Sequence, residues 1–180
     1  MGLSVVYACA AGTASAQFST PLDIRNDLYE WGIHKSSISG GLSGLAVGEI
    51  GGTGTHDDVV AIQRDTSKFI PFVYDGDERL VVSYAGGYTL SFEPEDIEIA
   101  DMNGDGDADL VITGGVLKSG GTVQIFLGDG AGEFTSSVSK SLPSTGTGVD
   151  LADFDSDGDL DIAVSYGFPK NGTEDFGTDE

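Results

Sequence analysis

The chain repeats itself. Residues 48–60 read GEIGGTGTHDDVV, residues 101–111 read DMNGDGDADLV and residues 153–163 read DFDSDGDLDIA. Their first acids, Glu49, Asp101 and Asp153, stand 52 residues apart both times. A fixed period of this size marks an architecture in which each unit buries its apolar face only against its neighbours. The flanks repeat as well. An apolar stretch precedes each acidic segment: Leu45 to Val47, Ile97 to Ala100 and Val149 to Ala152. A β-rich run follows each: Val59 to Ile62, Leu110 to Thr113 and Ile162 to Ser165. In the first two units a further run, Phe69 to Tyr74 or Thr122 to Leu127, leads into a Gly/Asp turn. Leu80 to Tyr84 or Phe134 to Val138 comes next.

Short alternating or apolar runs bounded by Gly, Asp and Ser are the signature of strands. About four strands per repeat is the content of one propeller blade. The expected fold class is therefore all-β, with propeller-like blades of four antiparallel strands in about three units. A propeller has 4–8 blades as a rule. Three are too few for an ordinary closed ring, so the chain is expected to be part of a longer propeller or to complete one with a second copy. Residues 17–166 form the repeat region. Within it, residues 17–40 fit the outer half of a blade, with Ile24-Arg25 before a turn at Asn26-Asp27 and Leu28 to Ile33 as outer strand. They fit equally a short helix capped by Thr20, with Pro21 at its first position.

Composition narrows the function. Eight Lys and Arg against 30 Asp and Glu give a net charge of −22. Phosphate contact needs clusters of Lys and Arg, so nucleic acid is excluded as a partner, and an anionic membrane surface is disfavoured. No stretch reaches the ~18 apolar residues of a membrane span. Residues 1–16, MGLSVVYACAAGTASA, carry no charge. Ala14-Ser15-Ala16 fits the small-residue rule for signal-peptidase cleavage, although a basic n-region is missing. The alternative is a buried first strand. A leader predicts a secreted, extracellular or periplasmic protein. Cys9, the single cysteine, would leave with it, so disulfides would not support the mature fold. Residues 167–180 lack apolar periodicity and read as an acidic flexible tail.

The chemistry lies in the acidic loops. In 101–109, oxygen-bearing side chains fall at positions 1, 3, 5 and 9: Asp101, Asn103, Asp105 and Asp109. Gly106 at position 6 permits a sharp turn, and the carbonyl of Asp107 at position 7 can supply another oxygen. Residues 153–161 repeat the pattern with Asp153, Asp155, Asp157, Gly158, Asp159 and Asp161. Calcium takes six to eight oxygens of this mixed kind at about 2.3–2.6 Å. Magnesium prefers several waters, and transition metals prefer His or Cys. An EF-hand is excluded, because its twelfth position needs a bidentate Glu and here holds Ile112 or Val164. The expected cofactor is Ca2+ at two sites. In the first loop, Gly51 and Thr53 stand where acids should be and one residue is inserted before Asp57-Asp58, so that loop is expected to be metal-free.

These loops, with the link Gln124-Ile125-Phe126-Leu127-Gly128-Asp129-Gly130-Ala131-Gly132-Glu133-Phe134, resemble the FG-GAP/VCBS repeat family. That family supplies the calcium-bearing repeats of integrin-α-type propellers and many secreted microbial proteins. The resemblance covers roughly residues 42–166. It implies that each loop joins the first two strands of a blade and is stiffened by calcium. It implies the ligands Asp101, Asn103, Asp105, Asp107 by its carbonyl and Asp109, and their counterparts Asp153, Asp155, Asp157, Asp159 and Asp161.

No catalytic constellation stands out. His56 beside Asp57 and Asp58 has no paired nucleophile, Ser43 lacks the Gly-x-Ser-x-Gly elbow, and acids are too abundant to single out a pair. The reading is a secreted calcium-binding module that binds a protein or glycan through its loops, as in adhesion, with no catalytic residues assigned. The alternative is an accessory domain of an extracellular polysaccharide hydrolase or lyase; a purely structural segment is a third.

Overall fold

The computed structural model describes residues 9–10, 17–18, 42–51, 57–74, 80–82, 87–116 and 120–167. Most of the leader, most of 17–40, His34, His56 and the tail beyond Gly167 lie outside them. Two short strands, β1 (Cys9–Ala10) and β2 (Gln17–Phe18), pair antiparallel near the start.

The repeat region is all-β and falls into three successive antiparallel units, as the period requires. Blade one holds β3 (Gly44–Gly48), β4 (Asp58–Gln63) and β5 (Lys68–Tyr74) in that order. Two further short strands, β6 (Leu80–Val82) and β7 (Tyr88–Thr89), both pair with β5. β6 covers the described part of the strand expected over 80–84; residues 83–86 lie outside the described ones.

Blade two is complete: β8 (Glu93–Ala100), β9 (Asp109–Gly115), β10 (Gly121–Gly128) and β11 (Phe134–Leu142) form a four-stranded meander. β11 runs four residues past the expected end at Val138. Blade three contributes β12 (Gly146–Ala152) and β13 (Asp161–Tyr166). The described residues form no closed ring.

Alternation along each second strand sorts its side chains between two neighbours. In blade one, Val60 and Ile62 join Ala46, Ile50 and Phe69 on one face, and they meet Ile97, Leu110, Ile112, Phe126 and Phe134 of blade two. Four rings close this interface. Phe69 stacks on Tyr88 with centroids 4.6 Å apart, and Phe126 and Phe134 meet Phe69 edge-on at 4.9 and 5.9 Å. Tyr88 Oη accepts a hydrogen bond from Phe134 N at 2.9 Å, which satisfies a polar group inside an apolar seam. Each such ring pair contributes about 0.5–1.5 kcal/mol beyond its buried area. At the rim, Arg64 bridges to Glu93 at 3.3 Å and Glu95 at 2.9 Å. Those ion pairs are partly exposed and contribute about 1 kcal/mol or less each.

The next interface is more polar. Opposite to Leu110 and Ile112, Val111 and Thr113 are fully buried, and the Thr113 hydroxyl lies against Gly146 of β12. Asp96 of β8 accepts from Val149 N of β12 at 2.9 Å. On blade three the corresponding residues of β13, Ala163 and Ser165, are exposed. The equivalent face thus runs from Ala46, Val60 and Ile62, through Glu98, Val111 and Thr113, to Asp150, Ala163 and Ser165.

Glu98 sits in this second interface. Burial pushes its carboxyl above the ordinary value of 4.5, and Asp96 and Asp150 add like charge. Folding therefore favours the protonated acid. That stability is present below the ordinary value and is lost as pH rises through the raised one. Glu98→Gln is expected to raise the melting temperature at neutral pH, with the difference shrinking as pH falls below about 4, where the wild-type acid is protonated too. Melting curves across that range check it; a difference that does not change with pH contradicts it.

Candidate metal centre

Each acidic loop connects the first two strands of its blade, and the two candidate loops are wired alike. In 101–109, Asp101 Oδ1 accepts from Gly104 N at 2.8 Å and its Oδ2 from Gly106 N at 2.9 Å. In 153–161, Asp153 Oδ1 accepts from Ser156 N at 2.7 Å and its Oδ2 from Gly158 N at 3.1 Å. Asn103 Oδ1 accepts from Asp105 N, as Asp155 Oδ1 does from Asp157 N. Asp105 Oδ1 accepts from Asp107 N, as Asp157 Oδ1 does from Asp159 N. Each side chain at positions 1, 3 and 5 thus folds back over its own backbone, which curls the loop around its carboxylates.

That curl demands unusual backbone. Gly104 and Gly106 have φ of 74° and 95°, and Ser156 and Gly158 repeat them at 65° and 101°. The left-handed region costs a side-chain-bearing residue roughly 1–2 kcal/mol, so Ser156 carries strain that Gly104 avoids.

Asp101 and Asp107 are half-buried, Asn103 and Asp105 are exposed, and Asp109 is fully buried. Asp153, Asp155, Asp157 and Asp159 are exposed and Asp161 is half-buried. Asp153, Asp155 and Asp161 each bring one carboxylate oxygen within 4.8 Å of the others. In the other loop Asn103 Nδ2 donates to Asp105 Oδ2 at 2.8 Å. The Gly106 N–H, then those of Gly104, Asn103 and Asp105, hold the Asp101 carboxyl below its ordinary value. Those N–H groups use some lone pairs; a carboxylate has about four, so each acid keeps acceptor capacity for a cation. The side-chain acceptors at positions 1, 3, 5 and 9 are all oxygen, and neither loop contains His or Cys.

The closing aspartate has a second role that spacing alone does not reveal. Asp109 Oδ2 accepts from Met102 N and its Oδ1 from Gly128 N, both at 2.9 Å. It ties the start of the loop to the end of the third strand. Asp58 does the same in blade one: Oδ2 accepts from Ile50 N and Gly51 N at 3.1 Å, and Oδ1 from Tyr74 N at 2.7 Å. Asp161 Oδ2 accepts from Phe154 N at 2.9 Å. The first loop is therefore one residue longer between its first acid and its closing acid, and it keeps the bracket while Gly51 and Thr53 replace ligand-type side chains. The signal was present in the sequence as an acid heading every second strand.

Blades of antiparallel strands joined by acid-lined loops define a β-propeller-like repeat module. Residues 101–164 match the family model described as an FG-GAP-like repeat, a stretch that runs from the loop of blade two through the blade to β13. No curated protein matches the chain.

Asp58 is fully buried and three backbone N–H groups depend on it. Hydrogen bonds to charged groups contribute about 1.5–3 kcal/mol, and orphaned buried donors add a penalty. Asp58→Ala is expected to destabilise by about 3 kcal/mol or more, to the same extent with and without calcium. Denaturant titration in both conditions checks this; a loss seen only with calcium present would make Asp58 a ligand. Ser156→Gly, by contrast, is expected to stabilise by about 1 kcal/mol by removing left-handed strain. A lower denaturation midpoint for that variant would be the contrary result.

Proposed function

We propose that this chain is a secreted calcium-binding repeat module, with two structural calcium ions and a surface that engages a protein or glycan partner in adhesion. The observation that carries the reading is the convergence of the Asp153, Asp155 and Asp161 carboxylates in a loop whose wiring the 101–109 loop repeats. Without a counter-ion, carboxylates a few ångströms apart repel each other at a cost of several kcal/mol at a protein surface. Calcium removes that repulsion and prefers oxygen donors of this mixture.

Asp101, Asn103, Asp105, the Asp107 carbonyl and Asp109 would hold one ion. Asp153, Asp155, Asp157, the Asp159 carbonyl and Asp161 would hold the other. When bound, the ion supplies charge neutralisation and stiffness. The residues themselves shape the loop for it, since the backbone N–H groups that fold the loop also favour the ionised form of Asp101. Exposed loops of this kind suit extracellular calcium, where sites of 10⁻⁴–10⁻³ M affinity fill. The uncharged leader supports secretion, and the FG-GAP-like match supports a binding role over a catalytic one.

Calorimetric titration of the metal-free protein is expected to give two calcium ions. Asp105→Ala and Asp157→Ala should each leave one, and the double variant none. A site at 100 times its Kd adds about 2.7 kcal/mol, so EDTA should lower the melting temperature. A third ion, or no ion, would contradict the assignment of the loops.

A further inference from the structure

The β10–β11 turn, residues 129–133, is wedged between two blades. On one side is the candidate metal loop of its own blade. A side chain at Gly130 would collide with the Asp107 carboxylate, and one at Gly128 with the Ala108 carbonyl. On the other side is blade one, where a side chain at Gly51 would collide with the backbone of Ala131 and Gly132. Asp129 keeps the turn in shape: its Oδ1 accepts from Ala131 N at 2.9 Å and Glu133 N at 3.0 Å. The turn then delivers Phe134, whose N–H donates to Tyr88 Oη and whose ring packs on Phe69. Contact is continuous from the 101–109 loop, through the turn, to the aromatic seam between blades one and two.

The link is the Asp107 side chain. Position 7 offers a cation its carbonyl, which leaves the carboxylate free to press on Gly130. Gly130 has φ of 69°, so it is both the residue that can bend there and the one that leaves room for Asp107. Asp159 holds the same position in the other loop, is exposed, and has no such turn against it among the described residues.

We propose that Asp107 and Gly130 are positioning residues that couple cation occupancy of the 101–109 loop to the packing of blade one on blade two. The coupling rests on the calcium reading above. An ion that draws Asp101, Asn103, Asp105 and the Asp107 carbonyl together fixes the Asp107 backbone, and with it one wall of the turn. Without the ion, repulsion among the acids loosens that wall.

Calcium titration combined with amide hydrogen exchange tests this on the full chain. In the wild type and in Asp157→Ala, calcium should slow exchange over residues 129–134. In Asp105→Ala it should not. Asp107→Ala keeps the backbone carbonyl, so it should still bind two ions, with one site weakened about tenfold, as for loss of a group that orients a ligand. It should also lose the calcium effect on residues 129–134. Gly130→Ala should behave in the same way, and Asp107→Ala serves alone if that variant does not fold. Two ions bound with unchanged exchange over 129–134 overturns the coupling while leaving the calcium sites intact. No ion bound in the wild type overturns both, and the titration separates that failure from the first.

Discussion

A buried carboxylate at the head of the second strand holds each complete blade together. Taking an ionised acid out of water costs several kcal/mol unless its oxygens are filled. Asp58 and Asp109 meet that demand with N–H groups from two separate places, the start of the loop and the end of the third strand. The acid and the strand ends therefore order each other. This explains why the first loop keeps its closing aspartate although two of its ligand-type positions carry Gly51 and Thr53. The bracket ties the loop to the third strand of its blade, whereas the acids at positions 1 and 5 fold the loop itself.

Much of this was legible in the sequence because a repeat states the same constraint three times. The strand runs on either side of each acidic segment reappear in the structure. So does the all-β class, since short apolar and β-branched runs such as Val59 to Ile62, bounded by Gly, Asp and Ser, read as strands. What escaped is what depends on contacts between distant residues. The bracketing role of Asp109 is not legible in the sequence, because spacing reveals which residues share a loop and says nothing of Gly128, nineteen residues on. Ser156 passed unnoticed as a left-handed residue because its counterpart, Gly104, conceals the requirement that both meet.

The two means of cohesion are distributed in opposite directions along the chain. Blade one has the largest apolar share, with Ile50, Val60, Ile62 and Phe69 essentially closed to water, and a loop poor in ligands. Blade three has the richest run of acids and the thinnest apolar cover, with Ala163 and Ser165 open and Phe154 62% exposed. Blade two stands between, with Val111 and Thr113 buried beside Glu98.

The changing chemistry of that repeated face gives the array a polarity. Apolar seams respond weakly to salt, whereas like charges at a partly exposed face are screened by it. The seam between blades one and two, closed by Phe69, Phe126 and Phe134, is therefore the salt-insensitive joint of the described residues, and the side where Glu98 faces Asp96 and Asp150 is the one that ionic strength tunes.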